Sequence, residues 1–249
     1  MMFQSTLPAG APDLMRASAF RRERASVYAH LPPAEAQSSR LGLLGPSMMQ
    51  DLQRFETPGR QTELLEVMAA CIRHGRSLLV HLQIDDAALP LTVFPTDWLF
   101  YCPMPVEELL AAPLGELEVL SVEPPVLRAP SDTRHRFDGD TQCLAPLGSL
   151  LWELALRGSR DELLPEIAGT AAYRIAPGAN LHSLKLGGSI AAAVHKLQRQ
   201  TCNLGEISRW PGFDRERAMR MLNGLYLQAG LMISRTHPAA INDAWGGAS

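Results

Sequence analysis

Lysine is nearly missing from this chain. Two of its 23 cationic side chains are Lys185 and Lys196, and the rest are arginines. With abundant Ala, Leu, Gly and Pro, this bias predicts a bacterial gene of high GC content. Cysteine is scarce as well: Cys71, Cys102, Cys143 and Cys202 are separated by 31, 41 and 59 residues. That spacing excludes a CxxC zinc site and a disulfide-rich secreted scaffold, and predicts reduced, buried thiols. Long apolar runs are also missing. No stretch approaches the roughly 18 residues of a membrane span. The first 30 residues carry Arg16, Arg21, Arg22 and Arg24 but no apolar run of signal-peptide length, so the expected location is cytoplasmic. No P-loop, GxGxxG, GxSxG or HExxH pattern occurs. The expected cofactors are none, and the expected metals are none.

What is present is a globular composition of 249 residues, 46% hydrophobic and 20% charged, with a net charge of −3. A uniformly basic coat is excluded, while a local basic patch is not. Residues 1–60 are punctuated by Pro8, Pro12, Pro32, Pro33, Pro46 and Pro58. They read as a partly disordered lead-in with short helices over Leu14–Tyr28 and Met48–Phe55.

Order is expected from Gln61, opening a small α/β domain over 61–130. Leu64, Val67, Met68, Cys71 and Ile72 follow a helical period, and Gly75 stops the helix. Ser77–Ile84 and Leu89–Phe94 alternate as two strands of a hairpin around Asp85-Asp86-Ala87-Ala88. Pro90 predicts that the second strand is an edge or starts late. Trp98–Cys102 reads as a third strand, Val106–Ala112 as a short helix opened by Pro105, and Leu117–Val122 as a fourth strand. Trp98, Phe100 and Tyr101 read as core, with an exposed partner patch as the alternative. Residues 131–145 are polar and read as a linker or loop.

A mainly helical domain is expected over 146–240, with a flexible tail over 241–249. The overall fold class is α+β. Leu147, Leu150, Leu151 and Leu154 share one helical face, and Ser159–Glu162 fits a capping box for another helix. The clearest pattern lies over 189–235. Ile190, Ala193, Val194 and Leu197 mark a helix. Asn203 and Glu206 fit a capping box for a short helix, and Pro211-Gly212-Phe213 a turn. Asp214 caps a long helix with Ala218, Met221, Leu222 and Leu225 on its apolar face, and Leu231–Arg235 follows as a strand. This order resembles a winged helix in the last third of the chain, with His182–Leu186 as the expected partner strand. The resemblance is architectural and carries no family motif. It implies that Asp214–Ala229 is the helix that meets a DNA major groove.

The outward residues of that helix are read as Arg217, Arg220 and Asn223, with Arg215 near its start and Arg235 beyond it. These five are the candidate macromolecule-binding residues. Over 190–235 seven cations face three anions, a local balance of +4. Asp214 and Glu216 repel phosphate, and Asp214 has a simpler role as cap.

Chemistry is sparse. Asp132, His135, Asp138 and Asp140 cluster without a complete metal-ligand pattern and read as a hydrophilic loop. His81, Asp97 and Cys102 are the first suspects for an active site assembled from distant residues. The leading expectation is a non-enzymatic regulatory or adaptor protein acting through a protein partner. The alternative is a DNA-binding transcription regulator using Asp214–Ala229, and the third is an enzyme.

Overall fold

The computed structural model describes residues 14–28, 47–48, 50–51, 63–181 and 184–240. The chain is α+β and divides into two units. The first takes the described residues up to Ala112 together with Leu117–Leu147, and the second takes Pro113–Glu116 and the described residues from Gly148 onward.

The first unit is built on a five-stranded antiparallel sheet. Helix α1 is Ala17–Tyr28 and α2 is Leu64–His74. Strands β1 (Leu78–Ile84), β2 (Ala87–Phe94) and β3 (Leu99–Tyr101) follow, then α3 (Val106–Ala111), β4 (Glu118–Glu123) and β5 (Leu144–Pro146). The strand order is β4-β1-β2-β3-β5. Gly75 ends α2 at φ 58°, a left-handed position open to glycine, and its N–H reaches the Ile72 carbonyl.

Alternation sorts the sheet into two faces. Leu78, Val80, Leu82, Leu89, Leu91, Val93 and Phe100 share one face and are fully buried. Together with the buried residues of α2, they form the core of this unit. The other face carries Leu79, His81, Pro90, Ser121 and Glu123 and is more polar.

Two expectations change here. Strand β2 lies inside the sheet, although Pro90 predicted an edge. The N–H of Ala88 points outward to the Met15 carbonyl at 2.8 Å, and β3 pairs only with Thr92–Phe94. Position 90 shares that outward side and falls between the two partners. No donor is required there, so proline fits. The stretch read as a polar linker or loop over 131–145 is loop over 131–140 and is tied into the sheet at its end. Leu144–Pro146 pairs with β3, and the Phe137 ring stands edge-on to Phe94 and Tyr101.

Part of the lead-in is ordered onto the polar face. Helix α1 joins β2 through Ala17 N–H to Asp86 O at 2.7 Å, and Arg21 donates to Gln83 and Glu118. Its attachment is mostly polar, which explains why apolar pattern did not reveal it. The expected helix over Met48–Phe55 falls partly outside the described residues. Asp51 is described, and its carboxylate meets Arg73 and His74 of α2.

The second unit combines α4 (Leu147–Arg157, whose first residue belongs to the first unit), β6 (Ala172–Ile175), α5 (Gly188–Arg199) and β7 (Cys202–Asn203) with α6 (Leu204–Ile207), α7 (Arg215–Leu227) and β8 (Leu231–Ser234). Asn203 and Glu206 form the capping box of α6, and Asp214 caps α7 by accepting from Arg217 N–H. The three-stranded sheet runs β7-β6-β8. Its central strand is Ala172–Ile175, not the expected His182–Leu186. Residues 182 and 183 lie outside the described residues, and Leu184–Leu186 form no strand. Strand β8 is an edge that pairs with β6 alone, and no further strand follows it among the described residues. The capping box at Ser159–Glu162 also starts no helix. Arg160 is buried there instead, its guanidinium donating to the carbonyls of Glu162 and Leu163.

Candidate functional site

The five candidate residues of the second unit separate into different roles. Asn223 is fully buried and not outward. Its Oδ1 accepts from Leu164 N–H at 2.9 Å, and its Nδ2 donates to Glu162 O at 2.8 Å. Arg220 holds Glu216 at 2.8 Å and Gly158 O at 2.6 Å, with only 18% of its side chain exposed. Arg235 donates to the carbonyls of Glu166, Ala168 and Thr170. Arg215 and Arg217 sit exposed in the first turn of α7, and Arg217 lies over the Phe213 ring.

The rest of α7 is enclosed. A side chain added at Gly224 would stand 2.7 Å from the Trp152 ring and 3.3 Å from Ala155, so α4 lies against the row that Arg220 and Asn223 occupy. Helical spacing made that row look free, because sequence does not show which helix covers it. A groove of about 560 Å³ flanks the exposed turn, and Asp214 and Glu216 there offset Arg157, Arg217 and Arg220.

The active-site suspects are not drawn together. Cys102 is buried, and its thiol is pushed up to about 11 by that burial. Asp97 accepts from Ser131 N–H at 3.3 Å. Among the described residues no hydrogen bond or ion pair joins either to His81. In the polar loop, Asp132 accepts from Arg134 N–H and Asp140 caps a short turn at Gln142.

His81 instead belongs to a different constellation. Its Nδ1 lies 2.9 Å from Ser121 Oγ, and Ser121 donates to Glu123 Oε1 at 3.1 Å. Glu123 also pairs with Arg24 from α1. With the Ser121 hydroxyl proton directed at Glu123, the arrangement fits the tautomer in which Nδ1–H donates to the hydroxyl and Nε2 keeps its lone pair. The hydroxyl is therefore an acceptor toward histidine, the reverse of a serine activated by a base. Burial pushes the His81 imidazole below its ordinary value. Glu123 opposes this and Arg24 reinforces it.

His81, Glu123 and Arg24 of this cluster line an open groove of about 480 Å³. Phe20 stacks on His81 with ring centres 4.5 Å apart, and Leu79 and Pro90 extend the apolar wall. At the rim stand Met15, 46% exposed, and Val126, 79% exposed. They are two of three large apolar side chains so exposed among the described residues. Sequence reading singled out His81 but missed Phe20, Arg24, Ser121 and Glu123. The period-two alternation of β1 placed His81 and Leu79 on one face, but nothing in sequence registered β4 or α1 against them.

No helix among the described residues is long and apolar enough to cross a membrane. Comparison of the chain with protein-family models, with curated proteins and with solved structures gave no match.

Proposed function

We propose that this chain is a non-enzymatic cytoplasmic adaptor or regulatory protein whose first unit takes an apolar side chain of a protein partner. The observation that carries the reading is the groove between α1 and the polar face of the sheet, with Met15 and Val126 exposed at its rim. Exposed apolar residues that cluster around a concavity favour a docking role over chance exposure. Methionine suits such a rim because its unbranched side chain adapts to what it meets. His81 adds a polar ring to the apolar wall of the groove. The site is open and not enclosed, which favours a side chain carried by a macromolecule.

Site-specific crosslinking tests it. A photoreactive phenylalanine analogue replaces Met15 or Val126 in cells that make the protein, with exposed Gln198 of the second unit as the control position. The expected result is one common partner crosslinked from both rim positions and not from Gln198. Adducts that are the same from all three positions, or none from the rim, contradict the reading.

The reading of α7 as a duplex-reading helix has less to support it. Arg220, Asn223 and Arg235 are committed to carbonyls and amides of their own unit.

A further inference from the structure

The second unit carries an exposed surface that neither the groove nor the α7 row explains. Lys196 of α5 places its Nζ over the Trp210 ring, 4.3 Å from the centroid. Trp210 stands edge-on to Phe213 with centroids 6.4 Å apart, and the Arg217 guanidinium lies over Phe213 at 5.7 Å. Cation, ring, ring and cation therefore form one continuous row. Both rings are half-buried, and both cations are exposed without an ion pair among the described residues. Arg199 lies one turn along α5 from Lys196, and Arg209 directly precedes Trp210. Both are exposed and add to the positive charge at the Lys196 end of the row, while exposed Asp214 and Glu216 offset part of it at the Arg217 end.

We infer that this row binds single-stranded nucleic acid, with phosphates on Lys196 and Arg217 and bases on Trp210 and Phe213. Comparison of three ligand classes selects this one. A duplex hides its base faces and is read by a helix in its groove, whereas the α7 row is covered by α4 at Gly224. An acidic peptide matches the cations but leaves the rings without stacking partners. A single strand offers a negative charge and an open π-face in every nucleotide, which is the combination displayed here. The inference is independent of the groove in the first unit.

The test is fluorescence anisotropy of the full chain with a labelled oligothymidylate of about 15 nucleotides, a duplex of the same length and polyglutamate, each over a range of salt. The single strand is expected to bind most tightly, with an affinity that falls steeply as salt rises. Trp210→Ala is expected to weaken it about tenfold. Replacing Lys196 and Arg217 together by Ala is expected to flatten the log–log salt slope by about 1.4, two phosphate contacts on a single strand. If Trp210→Ala alters the melting profile, the Lys196/Arg217 pair decides alone, since both side chains are exposed. Equal or tighter binding of the duplex or of polyglutamate overturns the inference. So does an absence of binding at low salt, or a slope unchanged by the double substitution.

Discussion

Asn223 and Leu164 are joined through the interior of the second unit, the Asn223 side-chain carbonyl accepting from the Leu164 amide at 2.9 Å. The same side chain returns a hydrogen bond to the Glu162 carbonyl. One buried amide thus satisfies both a donor and an acceptor of a loop that has no regular structure of its own. Substituting Asn223→Ala strands both backbone groups away from water. The expected cost is about 2 kcal/mol, read as a lower urea midpoint. A midpoint unchanged from wild type would mean that the loop finds other partners.

Gly224, the next residue, has no room for a side chain. A Cβ there would lie 2.7 Å from the Trp152 ring, inside any normal contact. Gly224→Ala is expected to force α4 and α7 apart and to cost about 1–3 kcal/mol, the usual range for overpacking. Trp152 emission is the natural local reporter. A stabilised variant, with alanine gaining only its helix propensity, is the contrary outcome.

The His81 imidazole has a folded-state value lowered chiefly by burial from the ordinary 6.5. The unfolded chain therefore takes up a proton at a higher pH than the folded one. The stability this contributes is complete above pH 6.5 and is lost as pH falls through the folded value. Urea midpoints are expected to decline from pH 7 toward acid in the wild type and less steeply in His81→Gln. Parallel profiles for the two proteins would remove His81 from the pH response.

The four cysteines should react unequally. Burial pushes the Cys71 thiol up to about 12 and that of Cys102 to about 11, and raises that of Cys202. Only Cys143 is half-exposed. Alkylation of the native protein near pH 8, followed by mass spectrometry, should label Cys143 first and spare Cys71 and Cys102 until denaturant is added. Early labelling of Cys71 would contradict the packing of α2.

Much of the fold was legible because it rests on local physics. The period of α2, the alternation of β1 and β2, the stop at Gly75 and the caps at Asn203 and Asp214 each depend on a few neighbouring residues. What escaped depends on distant ones. Ala172–Ile175 becomes a central strand only because β7 and β8 flank it. Pro90 is tolerated inside the sheet only because the pairing of β2 with β3 starts at Thr92, two residues further on. Helix α1 docks through arginine pairs to Glu118 and Glu123, which hydrophobic periodicity cannot register. The site followed the same rule. His81 stood out as a residue, but its partners Ser121, Glu123 and Phe20 lie far along the chain. The arginine row on α7 looked free because a helical wheel shows a face and not its cover.

The groove lined by Met15 and Val126 is proposed to receive an apolar side chain of a protein partner. The decisive measurement is isothermal titration of the crosslinked partner, purified, into the full chain. Binding is expected with a negative heat-capacity change, the mark of apolar burial. Val126→Glu, at a position 79% exposed, is expected to weaken it about tenfold or more, while Arg217→Ala leaves it unchanged. Unaltered affinity in Val126→Glu, or a loss confined to Arg217→Ala, would contradict the account.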